Sequence, residues 1–156
     1  MLSLPPPEDG ADSQQLFSKL IVEPEIVEVS RDLFASGHFS IAIQEACKAL
    51  EKYLQNRTGN PQSGTALMDQ IFSPNSPSLY WSPRTTASEK DEQLGYHRIY
   101  AGTMLGIRNP CTHEFNWVDD PEVALEIMIM VQHLLKKAKL ATSAALRGSV
   151  PALVVP

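Results

Sequence analysis

Apolar residues recur at helical spacing through most of the chain. Phe39, Ala42, Ile43, Ala46, Ala49, Leu50, Tyr53 and Leu54 follow an i, i+3, i+4, i+7 stripe, which predicts an amphipathic helix over 39–57. Its opposite face carries Gln44, Glu45, Lys48, Glu51, Lys52 and Gln55. Upstream, Leu16, Phe17, Leu20 and Ile21 suggest one or two helical turns, and Pro24 opens a second run to Phe34 that Gly37 ends. Downstream, Thr58-Gly59-Asn60-Pro61 reads as a turn before a short helix over 64–72. Residues 73–87, with Pro74, Pro77, Pro83 and the apolar pair Tyr80-Trp81, read as a long loop. Thr86-x-x-Glu89 and Ser88-x-x-Asp91 resemble capping boxes, so a helix is expected from about Ser88 to Arg108. Asp120 followed by Pro121 caps a last helix to about Leu140, apolar around most of its circumference and therefore expected to be central. Period-2 alternation is absent before the last residues, so the fold class is all-α, with four or five main helices.

A length of 156 residues suits one domain with a sizeable core. The expected division is a disordered tail over 1–13, rich in Pro and acids, a helical domain over 14–141 and a C-terminal tail over 142–156. No apolar run approaches the roughly 20 residues that span a bilayer. The N-terminus lacks a basic and long apolar leader, so a cytoplasmic protein without membrane contact is expected. Cys47 and Cys111 stand in no C-x-x-C pattern, which disfavours a disulfide framework and a zinc site; no metal or other cofactor is expected. The net charge of −5 argues against a broad nucleic-acid coat while leaving room for a local basic cleft.

The chemistry-bearing stretch is Gly106-Ile107-Arg108-Asn109-Pro110-Cys111-Thr112-His113-Glu114. A residue before proline is biased away from the α region, so the upstream helix is expected to end near Arg108. In one unbroken helix, residues five apart point about 140° from each other; a break lets Arg108 and His113 converge. Such a corner joins a bidentate phosphate donor to a group that carries a proton near neutral pH. Alone, this spacing is a weak pattern, and its bland reading is an arginine capping its own helix and a joint histidine bonded to backbone.

Three segments in order change the weighting: Phe34-Ala35-Ser36-Gly37-His38-Phe39-Ser40-Ile41-Ala42, Ala46-Cys47-Lys48-Ala49-Leu50-Glu51, and Gly106 to His113. With Gly64 to Met68, Phe72-Ser73 and Gln93-Leu94-Gly95, they make residues 26–140 resemble a HEPN domain, more closely its prophage- and defence-associated Ymh-type (Abi-like) group. The resemblance implies an up-down helical bundle and, in many members, a metal-independent endoribonuclease whose signature is an Arg, a polar residue and a His. Carried over, these are Arg108, Asn109 and His113.

The reaction so implied is RNA cleavage by 2′-hydroxyl transesterification, with His113 in proton transfer, Arg108 on the developing phosphate charge and Asn109 positioning one of them. One imidazole cannot be acid and base together, and the resemblance implies a homodimer that brings two corners into one cleft. RNA and a second copy are thus the expected partners, with an antitoxin or nucleotidyltransferase-type protein a further class. The alternative is a non-catalytic module that binds nucleic acid, a nucleotide or a protein. Lys48, Lys52 and Arg57 recur down one side of their helix and are weaker candidates for a phosphate path, a solvated face being the commoner reason for such a row. Tyr80 or Trp81 could stack bases, although packing of the loop is the commoner role. Gly95, Gly102 and Gly106 form a line that suggests close approach of another backbone.

Overall fold

The computed structural model describes residues 9–144, and the parts of the two expected tails at 1–8 and 145–156 lie outside the described residues. The fold is all-α: α1 (Asp9–Leu20), α2 (Pro24–Ala35), α3 (Phe39–Thr58), α4 (Gly64–Phe72), α5 (Ala87–Thr103), α6 (Asn109–His113) and α7 (Pro121–Leu140). A two-residue β1 (Leu79–Tyr80) pairs antiparallel with β2 (Thr142–Ser143), Leu79 opposite Ser143 and Tyr80 opposite Thr142. Among the described residues, no helix is long and apolar enough to cross a membrane.

Helix ends follow local chemistry. Thr86 closes a full capping box on α5: its hydroxyl accepts from the Glu89 N–H at 3.2 Å, and the Glu89 carboxylate accepts from the Thr86 N–H at 3.2 Å. The same carboxylate accepts from Thr85, and these backbone donors hold it below the usual carboxylate range. Asp120 accepts from the N–H groups of Glu122 and Val123 and starts α7. At the end of α2, Gly37 adopts φ +79°, with Gly37 N–H donating to Phe34 and His38 N–H to Leu33. That is a Schellman closure, and it needs the left-handed conformation a glycine adopts freely.

Two expectations are corrected. Helix α1 begins at Asp9, inside the segment expected to be disordered, because tertiary packing outweighs composition: further along the same helix Phe17 is buried, its ring tilted against Phe34 at 4.9 Å between ring centres. The chain also does not break at Asn109-Pro110. Arg108 keeps right-handed helical angles, φ −61° and ψ −46°, and a π-helical turn over Met104–Arg108 carries α5 into α6. Pro110 has no N–H for the Gly106 carbonyl, and its ring needs that carbonyl moved aside; the wider turn accommodates both without ending the helix.

The chain divides into two compact units, one of residues up to Leu50 with Arg108–His133, the other of Glu51–Ile107 with residues from Leu134 onward. In the first, Ile26, Phe34, Ala42, Ile43, Ala46, Cys47, Leu50, Met128 and Val131 are buried. Gln132, only 5% exposed, ties the α1–α2 joint to α7: it accepts from Val22 N–H at 2.7 Å and Glu23 N–H at 3.0 Å, and donates to the Leu20 carbonyl at 2.9 Å. The second unit centres on Tyr100, whose ring stacks on Phe72 at 4.2 Å and whose hydroxyl donates to the Leu134 carbonyl at 2.6 Å. Burial there pushes the Tyr100 phenol well above its ordinary value, with Tyr96 and Tyr53 adding to the effect.

The loop over 73–87 is tied down within this second unit. Trp81 stacks on Phe72 at 5.4 Å and donates its indole N–H to the Lys137 carbonyl at 2.8 Å, with the Lys137 ammonium 5.0 Å from its ring centre. Gln93 donates to the carbonyls of Phe72 and Leu79. These contacts give Trp81 a packing role, and Tyr80 is itself buried. The glycine line meets nothing: a Cβ at Gly95 or Gly102 of α5, or at Gly106 of the π-helical turn, finds no atom within 4 Å beyond its own helix's backbone, so no other backbone of the described residues approaches it.

Candidate functional site

The sequence-derived trio sits on a single stretch of the first unit. Arg108 and Asn109 are half-buried at the start of α6, and the Arg108 guanidinium donates through Nη1 to the Asn109 side-chain oxygen at 3.1 Å. His113, exposed, ends the same helix, where Glu114 leaves the helical region and returns its N–H to the Pro110 carbonyl at 2.9 Å. With helical backbone from Arg108 through His113, the two side chains leave the axis in directions about 140° apart. The convergence expected from a chain break is therefore not formed within one copy.

What His113 does meet is a surface cleft of about 720 Å³. One wall comes from the α2–α3 corner, with Ser36, His38 and Gln44; the other comes from Thr112, His113 and the loop after it. Neither Arg108 nor Asn109 is among the described residues that line it. Phe115, on the loop wall, is 94% exposed, an extreme value for a ring of that size, and Trp117 beside it is also exposed.

The loop wall is stitched to α3 at one point. Ser40 donates its hydroxyl to the Val118 carbonyl at 3.1 Å and accepts from the Val118 N–H at 2.7 Å. Cys111 is buried at the cleft floor; burial pushes its thiol up, while a hydrogen bond with Ser40 pulls it the other way. A thiol raised in this manner is a poor nucleophile. Among the described residues, no group of three His, Cys, Asp or Glu side chains is placed to hold a metal ion.

Two of the three weaker basic candidates are otherwise engaged. Lys48 pairs with Glu45 at 2.7 Å on an open surface. Arg57 caps α7, donating to the carbonyls of Ala138 at 2.6 Å, Lys139 at 3.3 Å and Ala141. Lys52 is exposed. Two further lining residues, His38 and Phe115, stand in no motif of their own; His38 lies inside the Phe34–Ala42 segment that carries part of the family resemblance, whereas Phe115 gives no signal until its exposure is known.

No curated protein sequence and no solved structure matches the chain. The chain matches the model of a family described as a protein of unknown function, Hypoth_Ymh, over residues 21–138. That span takes in α2 to α6, both walls of the cleft and nearly all of α7, and the chain belongs to the Hypoth_Ymh family.

Proposed function

We propose that this protein is a HEPN-type, metal-independent endoribonuclease of the toxin and phage-defence kind, cleaving RNA by transesterification. The observation that carries the reading is an exposed His113 opening into a cleft of about 720 Å³, large enough for a nucleotide, beside a helix whose start holds the Arg108–Asn109 pair. His113 moves a proton at the ribose 2′-hydroxyl or the leaving 5′-oxygen. Arg108 offsets the charge that develops on the phosphate, and Asn109 fixes its guanidinium. Phe115 supplies a face on which a base stacks.

Because Arg108 lies outside the cleft that its own His113 lines, the reading requires a homodimer in which a second copy completes the site. An antitoxin or a nucleotidyltransferase-type protein is the partner class such an effector would need.

The same observation favours a second reading, a non-catalytic module whose cleft binds RNA, a nucleotide or a protein segment. Incubating RNA with the pure protein in EDTA separates the two. Cleavage abolished by His113→Ala and by Arg108→Ala, together with a dimeric mass, supports the nuclease; retained RNA binding without cleavage by the unaltered protein supports the module.

A further inference from the structure

The cleft that receives His113 holds a second imidazole from the same chain. His38 lines it from the α2–α3 corner, and both side chains are exposed. Among the described residues neither imidazole takes part in a hydrogen bond or an ion pair, so neither is consumed by a structural duty.

The backbone that carries His38 is fixed on both sides. Its N–H closes the Schellman motif of α2 by donating to Leu33 at 2.8 Å, and its carbonyl accepts the first-turn N–H of α3, from Ala42, at 2.9 Å. One residue thus ends one helix and begins the next. A corner so constrained presents a side chain with little backbone freedom to lose, which is what a proton-transfer group needs. Ser40, two residues on, bonds Val118 in both directions and ties this corner to the loop wall.

We propose that His38 is the second proton-transfer group of the cleft, so that one chain carries both imidazoles of the reaction. The inference rests on the nuclease reading and deepens it. One imidazole takes the proton of the ribose 2′-hydroxyl as its oxygen attacks phosphorus. The other gives a proton to the 5′-oxygen as the phosphorus–oxygen bond breaks, leaving a 2′,3′-cyclic phosphate and a free 5′-hydroxyl. The second copy is then needed for its arginine and not for its histidine.

The test uses the full chain with RNA in EDTA. His38→Ala and His113→Ala should each lower kcat by roughly 100-fold or more, the usual share of general acid–base catalysis, with KM little changed. Across about pH 5 to 9, the unaltered protein should show an acidic and a basic limb, and His38→Ala should lose one of them. His38→Gln, which still hydrogen-bonds but neither takes up nor releases a proton near neutral pH, should be as slow as His38→Ala. RNA with a bridging 5′-sulfur, whose leaving group needs no proton, should restore one of the two alanine variants and not the other. Because His38 is exposed, the circular dichroism and urea midpoint of its variants should match the parent.

His38→Ala cleaving within about twofold of the parent, or His38→Gln restoring the rate, overturns the assignment while the nuclease reading stands. No cleavage by the unaltered protein removes both.

Discussion

The Gln132 tie gives the sharpest stability prediction. The α1–α2 joint contains Val22 and Glu23, whose N–H groups have their partner in the Gln132 side-chain oxygen, while the Gln132 amide returns a bond to the Leu20 carbonyl. Gln132→Met preserves length and removes all three bonds. At about 0.5 to 1.5 kcal/mol each, with water able to reach the exposed Val22, the net loss should be about 2 to 3 kcal/mol. That is a large part of the roughly 5 to 15 kcal/mol that stabilises an ordinary domain. Urea titration at unchanged slope would read it as a lower midpoint, and hydrogen exchange would locate it, the Val22 and Glu23 amides exchanging faster. A loss under about 0.5 kcal/mol, or unchanged protection of those two amides, would refute the claim that this side chain carries the joint.

Gly95→Ala and Gly102→Ala should each raise stability by about 0.5 to 1 kcal/mol, since a Cβ at either position meets nothing within 4 Å; a concentration-dependent loss would instead reveal another chain packed there. Arg57→Ala should cost about 2 to 4 kcal/mol by uncapping the carbonyls of Ala138, Lys139 and Ala141, whereas Lys52→Ala should change stability by less than about 0.5 kcal/mol. Weakened RNA retention by Arg57→Ala at unchanged stability would restore it to a phosphate path. Tyr100, its phenol raised by burial, stays protonated in the folded chain above the ordinary value of 10.0, while the unfolded chain releases that proton. Stability should therefore fall as pH rises above about 10, by about 1.4 kcal/mol per unit for this group, and Tyr100→Phe should remove that share of the slope in urea titrations.

Periodicity and capping residues were enough to place most of the fold. The stripe from Phe39 to Leu54 became the buried face of α3, and Pro24, Thr86 and Asp120 marked helix starts where their chemistry said they would. Local rules failed where distant packing decided. The start of α1 at Asp9 falls in a stretch expected to be disordered, and Glu51, which the sequence pattern places on the polar face of α3, is buried and accepts from the Gly64 N–H. The Asn-Pro rule failed for another reason: one missing donor can be absorbed by widening a turn, and a statistical bias against helix before proline does not register that option. The candidate site was legible as residue types and not as geometry. Arg108, Asn109 and His113 were chosen together, yet which of them reaches the cleft depends on helical phase, and His38 joins His113 through a fold that brings residues far apart in sequence to one opening.

The paired hydrogen bonds between Ser40 and Val118 fasten the loop wall of the cleft to α3. A hydroxyl is among the smallest groups that give and receive at once, and here it does for Val118 what a neighbouring strand would do. Between that knot and the end of α6, Glu114 to Trp117 form a short connection that leaves Phe115 almost fully exposed. Whatever settles against the Phe115 ring meets a loop fastened at its far end by one small hydroxyl, and Ser40→Ala would remove both of its bonds to Val118 at once.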